Sequence, residues 1–231
     1  MKLELCAASI EAVDLAKELA FDRIELCQNL EQGGMTPSPG FIDYALSKGV
    51  ETHVLIRPRS GGFRYTQEEI DMVLHDVEHC KEFGVHGVVV GILETSDRIC
   101  QHSLHDIISV AGDMDVTFHR AFDDTYEFDK SLDILIEAGV RRVLSAGMAR
   151  NVELGMPLLK RMNEHAKGRI EIMTGGGVNV SNILKLKEEV QPAAIHFSGT
   201  NRTVIDEGSM FSETILKPNR DKIIRLLEAV R

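Results

Sequence analysis

Arginine, histidine, cysteine and glycine gather in five short runs of this chain, and each run points to a chemistry. Ile56-Arg57-Pro58-Arg59-Ser60-Gly61-Gly62-Phe63 sets two guanidiniums about a stiff proline, before two glycines that let a ligand approach the backbone. A guanidinium fork suits carboxylate or phosphate; the competing partners are the chain's own acids, Glu4 and Glu25. Thr117-Phe118-His119-Arg120-Ala121-Phe122-Asp123 brings an imidazole suited to proton transfer next to a cation and a carboxylate, although a buried histidine is as often structural. Met173-Thr174-Gly175-Gly176-Gly177-Val178 and His196-Phe197-Ser198-Gly199-Thr200 offer bare peptide N–H groups and hydroxyls that either hold an anion or form tight turns. The fifth run, from Cys27 through Gly33-Gly34-Met35 to Ser38, begins with a thiol.

These runs need elements to position them. Short β-rich stretches lie near residues 2–6, 22–27, 51–57, 86–91, 115–119, 141–145, 169–174 and 193–198. Amphipathic stretches with helical spacing lie near 9–20, 38–48, 66–83, 102–111, 127–138, 151–165, 180–190 and 220–230. Gly49, Gly84, Gly112, Gly139 and Gly168 stand where helices stop, Ser9 stands where one starts, and Thr66-Gln67-Glu68-Glu69 has the form of a capping box. Eight strands alternating with eight helices predict an α/β fold, a (β/α)8 TIM barrel, as a single domain over residues 1–231. No G-x-G-x-x-G follows the first strand, which disfavours a dinucleotide-binding sheet.

All five runs then fall at the C-terminal ends of strands, the working face of such barrels. Parallel strands buried on both faces usually read as continuous apolar runs, but here several alternate: Leu3-Glu4-Leu5-Cys6, Ile24-Glu25-Leu26-Cys27, His53 to Arg57, Val116 to His119, Ile170-Glu171-Ile172 and Ile195-His196-Phe197-Ser198. With a period of two, the apolar set meets the helices and the polar set, Glu4, Glu25, His53, Arg57, His119 and Glu171, faces the barrel axis. Charges placed there must satisfy one another or serve a ligand. Cys6 and Cys27 end neighbouring strands about 4.8 Å apart, so inward thiols there can meet. Paired thiolates, with Met35 as a thioether, suit Cu(I); two buried small apolar side chains are the alternative.

Composition narrows the partners. With 43% hydrophobic and 27% charged residues the 231-residue chain is an ordinary globular one. A net charge of −10 argues against non-specific nucleic-acid binding. No stretch is long and apolar enough for a membrane span, and the N-terminus lacks a signal peptide's apolar region, so the expected address is the cytoplasm. There the four cysteines stay reduced, and no C-x-x-C pair occurs. Neither Cys80 nor Cys100 is assigned a role.

The runs L-E-L-C at 3–6, R-I-E-L-C at 23–27, E-Q-G-G-M-T-P-S at 31–38, I-R-P-R-S-G-G at 56–62, T-F-H-R-A-F-D at 117–123, R-V-L-S-A-G at 142–147 and G-G-G-V at 175–178 resemble the CutC family in order and spacing. The resemblance implies a cytosolic TIM barrel, a homo-oligomer (dimer or tetramer), and a part in copper homeostasis, with Cys6 and Cys27 at the family's strand-end cysteines. Two functions result: a Cu(I)-binding protein using Cys6 and Cys27, or an enzyme acting on a small anionic or phosphorylated substrate. In the second, Arg57, Arg59, Arg120, Gly175, Gly176, Gly177 and Ser198 hold the anion, and His119 and Glu25 are the acid–base candidates.

Overall fold

The computed structural model describes residues 1–230, so the expected domain lies within it except for Arg231. Eight parallel strands close into a barrel: β1 (Lys2–Ala7), β2 (Arg23–Leu26), β3 (Thr52–Leu55), β4 (Gly87–Val90), β5 (Asp115–Phe118), β6 (Arg142–Ser145), β7 (Glu171–Gly175) and β8 (Ala194–Phe197). Each pairs with its neighbour in sequence, and β1 closes the ring on β8 with Lys2 opposite Ala194 and Leu5 opposite Phe197. Around them run α1 (Ile10–Glu18), α2 (Pro39–Ser47), α3 (Gln67–Phe83), α4 (Gln101–Ala111), α5 (Phe128–Glu137), α6 (Val152–Ala166), α7 (Ile183–Lys185, continuing as a π turn over Leu186–Val190) and α8 (Arg220–Val230). None is long and apolar enough to cross a membrane.

Local sequence accounts for the helix ends. Ser9 accepts from the amide of Ala12 at the start of α1, and Thr66 and Glu69 form the reciprocal capping box of α3. Gly84 takes the left-handed conformation that closes α3. Gly112 ends α4 differently, with ψ at −115°.

Alternation sorts the strand side chains as expected. The outward set, Leu5, Ile24, Val54, Val88, Val143, Ile172 and Ile195, is fully buried against the helices in one large apolar core. Each such side chain contributes roughly 1.5–3 kcal/mol. The barrel interior holds two separate small apolar groups, Cys6, Cys27, Leu55 and Val89 on one side and Leu144, Met173 and Ala194 on the other. The rest of the interior is polar. Arg23, completely buried, pairs with Glu4 and reaches across to the sulfur of Met173 at 3.4 Å. Arg142 bonds Glu171 (3.1 Å), Asp115 (2.7 Å), Thr117 (3.1 Å) and the His53 ring (3.1 Å). Glycines in β4 and just after it make room: a Cβ at Gly87 would lie 2.8 Å from His53, and one at Gly91 would lie 2.2 Å from His119. Glu4, Glu25 and His119 are buried, and Glu171 is half-buried at the lower rim, where Arg141 also holds it.

One element departs from the sequence reading. Between β8 and α8 the chain forms an antiparallel hairpin, β9 (Thr200–Ile205) with β10 (Glu213–Pro218), outside the barrel. The amide of Leu216 donates to Glu31 at 2.5 Å, which lays the hairpin beside the loop after β2.

Candidate functional site

Cys6 near the end of β1 and Cys27 just after β2 face each other inside the barrel mouth, with sulfurs 3.8 Å apart. Both are buried, Cys27 completely. The loop after β2 covers Cys27: a Cβ at Gly34 would sit 3.5 Å from its sulfur and 2.8 Å from Leu55. Glu25, one pleat below Cys27, accepts from the Cys6 thiol at 3.8 Å. His196 from β8 completes the group. The Cys6 sulfur, a Glu25 oxygen and a His196 ring nitrogen all lie within 4.8 Å of one another.

Glu4 orients that histidine. Its carboxylate accepts from His196 Nδ1 at 2.7 Å, and Arg23 holds the same carboxylate from the other side. Burial alone pushes the Glu4 carboxyl up, but the His196 hydrogen bond and the charges of His196 and Arg23 outweigh it and hold it well below the usual range. For His196 burial works against the charge, and the carboxylates Glu25 and Glu4 together with Cys6 raise it well above its ordinary value. Glu25 is raised by burial, with Glu4 adding to the effect. The Cys6 thiol is raised by its hydrogen bond with Cys27 and by burial, so without a ligand Cys6 rests protonated.

Sequence reasoning foresaw the thiol pair and Glu25 but did not join His196 to them, although strand alternation had already set His196 on the inner face. It also missed Arg23 and Arg142. Each follows a charged residue at a strand start, Asp22 and Arg141, which reads as a solvated turn. Met35 is not at the thiols; its sulfur faces the Asn29 amide at 4.0 Å.

The arginines divide. Arg57 is buried and its guanidinium donates to the carbonyls of Gln32 (3.0 Å), Gly34 (2.8 Å) and Gly61 (2.6 Å), stacking on Phe63. It ties the loop after β2 to the loop after β3. Arg59 pairs with Glu69 and donates to the carbonyls of Gly62 (3.0 Å) and Arg64 (2.8 Å). The expected joining of Arg57 and Arg59 to the Gly175–Gly177 loop therefore does not occur, because loop carbonyls and Glu69 already occupy both forks. Arg120 does reach that loop, as do Ser198 and Lys222: with Gly176, Gly177 and Gly199 they line one cavity of about 330 Å³, whose wall also includes Cys6 and His196. Gly175 itself lies within β7, packed against Leu144 and His196.

His119 is not brought to Glu25 as an acid–base pair. Its Nδ1 accepts from the Ala121 amide at 3.0 Å, its ring packs on Phe63 with centroids 4.8 Å apart, and its Nε2 finds no partner. Burial, aided by the charge of Arg57, pushes it down to about 3, so it is neutral at pH 7. Cys80 is buried in α3 and burial pushes its thiol up to about 12. Cys100 caps α4, with its sulfur 3.2 Å from the Ser103 hydroxyl.

Comparison with known proteins agrees with this architecture. The profile of the CutC family matches residues 1–201. The family protein CutC of Glaesserella parasuis serovar 5 (strain SH0165) is 34% identical over 232 residues, covering 99% of this chain and 95% of its own. That of Chromobacterium violaceum is 42% identical over 80% of this chain and 75% of its own. Among solved structures, a CutC from Streptococcus agalactiae named for copper homeostasis superposes with a TM-score of 0.80 at 31% identity, covering 85% of this chain and 98% of its own. A deoxyribose phosphate aldolase from Aeropyrum pernix, at 17% identity and a TM-score of 0.62 over 85% of each chain, shares the barrel fold. With a profile match over most of its length and full-length relatives above 30% identity, this chain belongs to the CutC family.

Proposed function

We propose that this protein binds Cu(I) at Cys6, Cys27 and His196, in keeping with the copper homeostasis for which its relative from S. agalactiae is named. The observation that carries the reading is the 3.8 Å separation of two inward sulfurs with an imidazole beside them. Two thiolates on one ion, with metal–sulfur bonds of about 2.3 Å, sit roughly 4 Å apart. Soft sulfur and imidazole donors are the set that selects Cu(I). Glu4 acts as the outer partner of the imidazole: by engaging Nδ1–H it leaves Nε2 to reach the ion once the raised imidazole has given up its second proton on metal binding. Glu25 is placed to take the proton that the Cys6 thiol must lose.

Anaerobic titration against a coloured Cu(I) chelator, with reductant present, tests this. The parent takes up one equivalent. The Cys6→Ser, Cys27→Ser double variant loses it, and His196→Gln weakens it about tenfold or more. Cys100→Ser serves as the control and retains full uptake. Equal uptake by the double variant and the parent would eliminate the site.

A further inference from the structure

The cavity above the thiols has features that metal binding does not use. Among the described residues, the amides of Gly176, Gly177 and Gly199 find no acceptor in the chain. All three rim the same cavity. Two cations face it as well. Arg120 is fixed by Asp123 at Nε (2.8 Å) and by the Ala149 carbonyl at Nη2 (3.1 Å), while Nη1 makes no hydrogen bond within the described residues. That free edge is turned to the loop after β7: a Cβ at Gly176 would lie 2.9 Å from Nη1. Lys222, in the first turn of α8, is anchored by a bond from Nζ to the Thr200 carbonyl at 2.8 Å. The Ser198 hydroxyl adds a further polar group, already in contact with Thr200 at 3.1 Å.

Bare amides need an acceptor, Lys222 has no carboxylate partner among the described residues, and Arg120 keeps a free edge beyond its pair with Asp123. A carboxylate presents two oxygens in a plane, whereas a phosphate presents three in a pyramid that amides and cations can meet from several directions. The lower wall is different. Leu144, Val178 and Phe197 are apolar, and the cavity continues to Cys6 and His196. We propose that this cavity binds a small phosphomonoester, with the phosphate held by the amides of Gly176, Gly177 and Gly199, Arg120 and Lys222, and the organic part directed down toward Cys6 and His196. The phosphate clamp shares no group with the copper ligands, so either reading stands or falls alone.

The test uses metal-free protein in chelator, titrated with inorganic phosphate, glycerol phosphate and acetate, and followed by thermal shift and calorimetry. Both phosphate compounds raise the melting temperature of the parent, glycerol phosphate binds more tightly than inorganic phosphate, and acetate has no effect. Lys222→Gln and Arg120→Gln each weaken phosphate binding about tenfold, the effect of one lost charge-assisted hydrogen bond, and leave Cu(I) uptake unchanged. Lys222→Gln changes a half-buried helix side chain and keeps the test open if the Arg120 variant is poorly folded. No stabilisation of the parent by either phosphate compound up to about 10 mM, a range that captures weak millimolar binding, overturns the proposal. So does equal binding by parent and both variants, or equal binding of acetate.

Discussion

Three inner histidines are shifted by burial and charge in opposite senses, and their effects on stability divide at one pH. His53 and His119 are lowered from 6.5, the latter to about 3, mainly by desolvation. Below pH 6.5 the unfolded chain takes up protons that the native state refuses, so the stability these groups supply is present above 6.5 and is lost as pH falls toward their folded values. His196 is raised, so its contribution is complete below 6.5 and is lost as pH rises through its folded value. These three histidines by themselves favour a maximum near pH 6.5, with slopes of up to about 1.4 kcal/mol per pH unit for each group, while Glu25, raised from 4.5, pulls the maximum toward lower pH. Urea melts from pH 5 to 9 check this. His119→Phe flattens the acid limb and His196→Gln the alkaline one; a profile level from pH 5 to 9 in the parent contradicts the assignment. At this scale the sequence reading was uneven. It placed Cys6, Cys27, Glu25 and Arg120 on the working face, but gave Arg57 and Arg59 to a ligand. What decided their partners were carbonyls of loops that fold back on them, and a carbonyl has no signature in a sequence.

Strands and helices were largely legible because periodicity, caps and glycine stops agreed with one another. The hairpin of β9 and β10 was not. Its strands are mostly exposed or half-buried, so they lack the one-sided apolar face that makes a strand recognisable. A different element carries a sharper constraint. Helix α6 packs backbone to backbone on the turn after β6: a Cβ at Gly155 would lie 1.7 Å from the Ala146 carbonyl oxygen. No rotamer relieves that contact, so Gly155→Ala must push the helix and the turn apart. The expected cost is about 3 kcal/mol, at the upper end for overpacking. The same turn leads to Ala149, whose carbonyl fixes Arg120, so the substitution should also weaken phosphate binding. Chemical denaturation reads the first effect and calorimetry the second; an unchanged urea midpoint would show that the turn yields freely.

The polar interior was legible as a pattern and not as a set of pairs. Alternation said that charges face inward, but the partners are distant in sequence: Arg23 with Met173 and Arg142 with His53 across the barrel, and His196 with Glu4 across the β1–β8 seam, separated by 150, 89 and 192 residues. Only closure brings such groups together. Closure is also where the candidate metal site lies, because Cys6 belongs to the first strand and His196 to the last. Until β8 is in place, β1 has an unpaired edge and Glu4 lacks one of its two partners. Contacts between chain ends carry the largest loop-closure entropy and form late. Helical signal should therefore recover before the Cys6 thiol becomes shielded from alkylation during refolding, and simultaneous recovery of both would show that the ends meet early. On the ribosome the order is stricter still. The N-terminal half of the cluster emerges first and must wait, open-edged, for nearly the whole chain to be made before His196 can join Cys6 and Glu25.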